Sequence, residues 1–138
     1  MESCIFCQIV KGSIPSAKIY EDDSVLSFLD INPINPGHAL VIPKKHYPTI
    51  IDVDDEDLKK TAVVTKIVAR AIKEALNCDG INILQNNFGA AGQLIFHFHI
   101  HVIPRFEGDG FEIWHGKPYE KGVMSEVQSK ILAVMKKE

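Results

Sequence analysis

The stretch Ile95-Phe96-His97-Phe98-His99-Ile100-His101-Val102-Ile103 constrains this chain more than any other. Apolar and imidazole side chains alternate along it, a period of two that suits a strand and not a helix. The pattern predicts one long strand from Phe96 to Ile103, closed by Pro104. Phe96, Phe98, Ile100 and Val102 then bury on one face, and His97, His99 and His101 stand in a row on the other. A solvated sheet face more often carries Thr, Lys or Glu, whereas half of the protein's six histidines fall here. That concentration points to a site. Two chemistries use neutral imidazoles in a row, metal ligation and covalent catalysis by an attacking nitrogen. Alternate residues of a strand lie ~7 Å apart and the outer pair ~13 Å, so one ion takes two neighbours but hardly all three. The spacing leaves both chemistries open.

The surrounding chain predicts a mixed architecture. Leu58, Ala62, Thr65, Val68, Ile72 and Ala75 recur at helical steps between Asp54 and Asn77 and predict one long helix. Asp54 is its N-cap, Asp55, Glu56 and Asp57 meet the positive end of its dipole, and Asn77-Cys78-Asp79-Gly80 stops it. Ser24–Leu29, His38–Ile42 and Ile81–Leu84 read as strands, with Ala17–Tyr20 as an added edge strand. The Pro-rich connection INPINPG is short enough to favour an antiparallel pair. A second amphipathic stretch, Ser125–Lys136, places Val127, Ile131, Val134 and Met135 at helical spacing. The expected class is α+β.

Composition narrows the function. With 138 residues the chain fits one domain, able to bury a core without disulfide staples. At 46% hydrophobic and 24% charged it is neither disordered nor a coiled coil, and no apolar run approaches the ~18 residues of a membrane span. The first residues lack the pattern of a secretory signal. A net charge of −3 argues against a nucleic-acid binder that works by neutralising phosphates. Three cysteines, Cys4 and Cys7 in a C-x-x-C and Cys78 alone, fit reduced thiols in a cytoplasmic protein rather than a disulfide framework. Cys78 reads as a small buried hydrophobe. The loop Gly89-Ala90-Ala91-Gly92 has no bulky side chain, so its backbone N–H groups can approach a phosphate beside the histidines, with Asn86 and Gln93 adding amides.

The histidine segment resembles the signature of the histidine triad superfamily. Phe28-Leu29-Asp30-Ile31-Asn32-Pro33, Pro36-Gly37-His38 and Val41-Ile42-Pro43-Lys44-Lys45-His46 resemble further blocks of that family in the same order. The resemblance runs from about residue 4 to 106 and is strongest to the nucleoside phosphoramidase (Hint-like) branch. The Ala91-Gly92-Gln93 approach also resembles the diadenosine polyphosphate hydrolases. The segment from about 107 to 138 is a C-terminal extension that departs from the short Hint-like ending. The resemblance implies a five-stranded antiparallel sheet with a long helix, and a homodimer formed through the long helix and a sheet edge.

It also implies roles. His99 would attack the α-phosphorus of a purine nucleoside monophosphate conjugate and form a nucleotidyl-histidine that water hydrolyses. His101 would contact the phosphate or leaving group, and His38 would order the histidine network. Asp30 would bind the ribose, Ile31 would pack near the base, and Asn86, Gly92 and Gln93 match phosphate-binding positions. Leu94 stands where relatives often carry Ser or Thr, which leaves its backbone N–H for that contact. Bacterial members and the related galactose-phosphate uridylyltransferases pair a C-x-x-C with two histidines on a structural zinc, here Cys4, Cys7, His46 and His97. Two other readings stay open, a regulatory nucleotide-binding module without turnover and a hydrolase that uses the triad as catalytic zinc ligands. Trp114 is a candidate for stacking on a base or for packing.

Overall fold

In the computed structural model, residues 3–136 are described. The elements in chain order are α1 (Ile5–Lys11), β1 (Lys18–Glu21), β2 (Val25–Leu29), β3 (Ala39–Pro43), α2 (Asp55–Leu76), β4 (Gly80–Leu84), a 3-10 turn at Gly89–Ala91, β5 (Ile100–Arg105) and α3 (Val123–Met135). The five strands form one antiparallel sheet in the order β1-β2-β3-β5-β4. With its long helix this is the α+β class expected.

The two faces of the sheet are covered differently. Val25, Val41, Phe98, Ile100 and Val102 point to one side and pack against Val64, Val68 and Ile72 of α2, with Cys78 buried in the same cluster. Alternation sends Leu26, Phe28, Leu40 and Ile42 to the other side, where Phe6 and Ile9 of α1 cover them. β2 and β3, covered on both faces, are therefore almost continuously apolar. The stripe of α2 is shifted from the expected one. Thr61 and Val64 are buried while Ala62 and Ala75 are exposed, because the packed edge of the helix is set by Val64, Val68 and Ile72. Asp54 caps α2 by accepting the Asp57 N–H at 2.8 Å, and Asn77 ends it in the left-handed region.

Two local structures depart from the sequence reading. Residues 5–11 form a helix that the apolar pattern does not announce. Its N-cap is Cys4, whose sulfur accepts the Cys7 N–H, and Gly12 closes it at φ 83°. The histidine strand is also shorter and later than predicted, since β5 begins at Ile100 and runs through Pro104 to Arg105. Upstream, the Phe98 N–H is drawn off to the Tyr47 carbonyl at 2.6 Å and the His97 carbonyl to the His99 ring, so the ladder cannot extend there. Phe96, expected in the core, is 48% exposed. Pro104 is tolerated because β3 pairs with β5 only as far as Val102 and requires no N–H from residue 104.

The C-terminal segment behaves unlike the sheet. α3 buries none of its residues, and Met124, Ile131, Leu132, Val134 and Met135 are exposed. Among the described residues no helix is long and apolar enough to cross a membrane.

Candidate active site and metal cluster

Both functional groups lie on the α1 face of the sheet. Leu40 of β3 is the cross-strand partner of His101 in β5, so the two side chains share a face, and His38 lies two residues before Leu40 on the same side. Gly37 lets the chain reach this point. Its φ of 99° is disfavoured for other residues, and a Cβ there would run into Leu76. Asn35 fixes the same loop by donating its side-chain amide to the Pro104 carbonyl at 2.9 Å and to Asp109 at 3.0 Å. Arg105 grips Asp109 through Nε at 2.8 Å and Nη2 at 2.9 Å, which holds that carboxyl far below the usual range.

Hydrogen bonds assign the imidazole protons. His38 Nδ1 accepts the Ile34 N–H at 3.1 Å, so its proton sits on Nε2. That Nε2–H donates to His101 Nδ1 at 2.9 Å, which leaves the His101 proton on Nε2. His99 Nδ1 lies 2.6 Å from the His97 carbonyl, which can only accept, so His99 carries its proton on Nδ1 and a lone pair on Nε2. The His99 and His101 rings approach to 4.9 Å between centroids, closer than a straight strand places alternate residues. Burial lowers the pKa of His38 and His99, and pushes His101 down to about 4, so the group is neutral at pH 7.

Asp30 follows β2 at the edge of this group. Its Oδ1 accepts the Asn32 N–H at 2.9 Å, and Oδ2 lies 3.6 Å from His38 Nε2. The donor atoms of Asp30, His38 and His101 all fall within 4.8 Å of one another, a second set of metal-capable atoms, but the two imidazoles are engaged with each other. Ile31 beside Asp30 is exposed.

The glycine loop lies upstream of the triad. Gly92 ends the 3-10 turn at φ 92°, and a Cβ there would come within 3.9 Å of the Asn86 side-chain nitrogen, so these two phosphate candidates adjoin. Gln93 is different from the expectation. Its Oε1 accepts the Phe88 N–H at 2.7 Å, while Nε2 donates to the carbonyls of Pro48 at 2.7 Å and Ile95 at 3.1 Å. Its backbone N–H goes to the Phe88 carbonyl. Every donor of Gln93 is spent on bracing the loop. Leu94 is exposed.

The cysteines form the second group. The ligand atoms of Cys4, Cys7, His46 and His97 all lie within 4.8 Å of one another. His97 Nδ1 is 3.4 Å from Cys4 Sγ and 3.6 Å from Cys7 Sγ, and His46 Nδ1 is 3.4 Å from Cys7 Sγ. A tetrahedral ion with metal–sulfur bonds of ~2.3 Å and metal–nitrogen bonds of ~2.0 Å places sulfur and nitrogen ~3.5 Å apart. His97 donates Nε2–H to the Pro43 carbonyl at 2.8 Å, which turns the lone pair of Nδ1 toward the sulfurs. Its pKa is pushed down to about 4, mainly by burial. Burial likewise pushes the Cys7 thiol up and His46 down. The four residues can hold a metal.

Phe6 escapes a reading by residue type. Its ring stands edge-on to His97 at 5.9 Å and to His99 at 5.1 Å, between the two groups. Its place inside the C-x-x-C was the available signal. Trp114 is 84% exposed.

Three imidazoles at the head of a central strand, His97 and His99 buried and His101 partly so, beside a Cys2His2 cluster on the same sheet face, define a histidine-triad protein. The HIT domain family matches residues 11–108, and the chain belongs to the HIT family. It is 45% identical over 134 residues to Protein hit of Bacillus subtilis, covering 94% of this chain and 92% of that one. Identity to the Adenylylsulfatase HINT3 of Arabidopsis thaliana is 46% over 106 residues, covering 77% of this chain and 54% of the relative. The crystal structure of a histidine triad nucleotide-binding protein from Candida albicans superposes with a TM-score of 0.88 at 35% identity, covering 98% and 99% of the two chains. A zinc-bound histidine triad protein from Mycobacterium smegmatis superposes at 0.77 with 38% identity, covering 99% of each chain.

Proposed function

We propose that this protein hydrolyses nucleoside monophosphate conjugates at the α-phosphorus, as an adenosine phosphoramidase-like enzyme with His99 as nucleophile. The observation that carries the reading is the His99 Nδ1–H held by the His97 carbonyl at 2.6 Å, which leaves Nε2 unprotonated. Nε2 attacks phosphorus, a P–N bond to the enzyme forms, and the bond to the leaving group breaks. The resulting ring is cationic, and its Nδ1–H strengthens its bond to the carbonyl. Water then attacks phosphorus, the enzyme's P–N bond breaks, and the nucleoside monophosphate leaves. His101 Nε2–H, held outward by its bond from His38, donates to a phosphoryl or leaving-group oxygen or nitrogen. Asp30 accepts the ribose hydroxyls, Ile31 borders the base, and Asn86, Gly92 and the Leu94 N–H receive the phosphate.

Cys4, Cys7, His46 and His97 hold a zinc ion with a structural role, since four protein ligands leave no position for substrate. The ion cross-links α1 to the histidine segment. The sulfur–nitrogen distances and the zinc-bound Mycobacterium relative support this reading. The chain acts as one domain and as a homodimer. Val63 and Ile67, one turn apart on the outward side of α2, are exposed, and β4 is an edge strand with Ile83 exposed.

The test is steady-state hydrolysis of adenosine 5′-phosphoramidate, adenylyl sulfate and a diadenosine polyphosphate by wild type and His99→Ala. The Arabidopsis relative is an adenylylsulfatase, which places adenylyl sulfate in this panel. Turnover by wild type and its loss in the folded variant are expected. Nucleotide binding without turnover of any of the three would overturn the reading.

A further inference from the structure

The C-x-x-C is placed for a reaction that ligand duty does not need. Cys7 and His97 are buried, but Cys4 is only partly so and lines a cavity of about 370 Å3 with Ile5, His46, Leu94, Ile95 and Phe96. Water occupies ~30 Å3 per molecule, so this space admits a small oxidant to the Cys4 side of the cluster. The cavity walls are polar and apolar in nearly equal parts, and Cys4 and His46 carry the reactive side chains among the lining residues. Cys7 lies directly behind, with its backbone N–H donating to Cys4 Sγ at 3.4 Å and both sulfurs within the 4.8 Å cluster. Cys78, in the core under α2, is remote from the pair.

The consequence reaches the nucleophile through one residue. His97 gives its ring to the cysteine cluster and its carbonyl to His99. Residues 97–99 precede β5 and are not held in the sheet ladder, so two anchors fix where that carbonyl points: the Phe98 N–H of the same peptide plane, bonded to the Tyr47 carbonyl, and the ring's attachment to the sulfurs and to Pro43. We propose that Cys4 and Cys7 are a peroxide-reactive pair whose oxidation to a disulfide releases the metal and slackens the carbonyl clamp on His99. This rests on the zinc reading given above.

The chemistry balances with a peroxide as the named co-reactant. The Cys4 thiolate attacks one peroxide oxygen, the O–O bond breaks, and a sulfenic acid and one hydroxide or alkoxide result. The Cys7 thiolate attacks the Cys4 sulfur, the S–O bond breaks, and hydroxide leaves. Two protons from solvent neutralise the departing oxygens. Two thiolates are oxidised by two electrons, the peroxide is reduced, and the metal keeps only two imidazole ligands and dissociates.

The experiment treats the native protein with hydrogen peroxide and follows zinc with a colorimetric chelator, thiols by titration, and the cross-link by peptide mass. One zinc released for every two thiols lost, a Cys4–Cys7 linked peptide and unmodified Cys78 are expected. The kcat on whichever nucleotide conjugate is turned over is expected to fall about 10- to 100-fold, and a dithiol with added zinc to restore it. Cys78→Ala is expected to release zinc as wild type does. Zinc retained under oxidation, sulfinic acid in place of the disulfide, or kcat unchanged after disulfide formation overturns the inference. Zinc release and the disulfide are read without any substrate, so an absent phosphoramidase activity does not mask them. A freshly purified protein that holds no zinc refutes the metal reading itself, and the mapped peptide still decides whether the two cysteines pair.

Discussion

The cysteine–histidine cluster and the His38–His99–His101 group both use imidazoles of the same segment and sit on one face of the sheet, yet their rings are set differently. Burial does not separate them, since it pushes His97 and His101 alike down to about 4. The difference lies in which nitrogen keeps the proton. The Pro43 carbonyl takes the Nε2–H of His97 and aims Nδ1 at two sulfurs. The His97 carbonyl takes the Nδ1–H of His99 and leaves Nε2 without a partner among the described residues. Burial makes an imidazole neutral, and the backbone acceptor decides which nitrogen keeps its lone pair, Nδ1 in His97 and Nε2 in His99.

Removing one ring from each group tests this division most severely. His99→Ala should lower single-turnover hydrolysis by about ten-thousand-fold or more, the range seen when one member of a catalytic unit is lost, while metal content and the circular dichroism melt stay near wild type. His97→Ala should do the reverse. Metal content should fall below one-tenth and the melting temperature should drop by about 10 °C or more, because a structural metal site contributes directly to folding. Activity should fall less, by about 10- to 100-fold, the range for an outer support of a reacting group. Equal effects of both variants on metal content would erase the distinction.

Acid should act on the His38–His99–His101 group with a predictable sign. Burial lowers the pKa of His38, and it lowers that of His101 from 6.5 to about 4 with help from the neighbouring imidazoles. The unfolded chain therefore binds more protons than the folded one between those values. Stability from this pair is complete above about pH 6.5 and is lost progressively as pH falls through about 4. The kcat/KM should hold from pH 8 through 6.5 and fall only in more acid solution, where protonation of His101 Nδ1 breaks its bond from His38. A profile falling already at pH 6.5 would mean that these rings are solvated in solution.

Much of this arrangement was legible because it is written in local patterns. Alternation around His97–His101 named the segment, helical spacing and Asp54 located α2, and the C-x-x-C marked half of the cluster. The misplaced start of the histidine strand has a tertiary cause, since the Tyr47 carbonyl that captures the Phe98 N–H lies 51 residues away in the chain. Gln93 depends on tertiary contacts in the same way. An amide beside a glycine loop reads as a phosphate contact until the Pro48 and Ile95 carbonyls consume its donors. The helix α1 was invisible because its start is set by a cysteine cap and its burial by the far side of the sheet. The cluster's last two members, His46 and His97, came from the family resemblance and not from their spacing.

Phe6 gives the smallest expected effect and the finest test, because its ring touches both groups at once. It is nearly fully buried, stands edge-on to Phe28 at 5.4 Å, and borders His97 and His99. Phe6→Leu keeps an apolar side chain of similar volume, so repacking should cost about 1 kcal/mol and the loss of edge-to-face contacts about another 1 kcal/mol. The His99 ring should regain some rotational freedom while its carbonyl bond persists, lowering kcat a few-fold with KM little changed. His97 is tethered at both nitrogens, so metal affinity should move less than kcat does. A chelator competition and a steady-state assay on the same preparation decide this. If metal affinity fell as much as kcat, the two groups would be one mechanical unit joined through Phe6, and the division by proton placement would be incomplete.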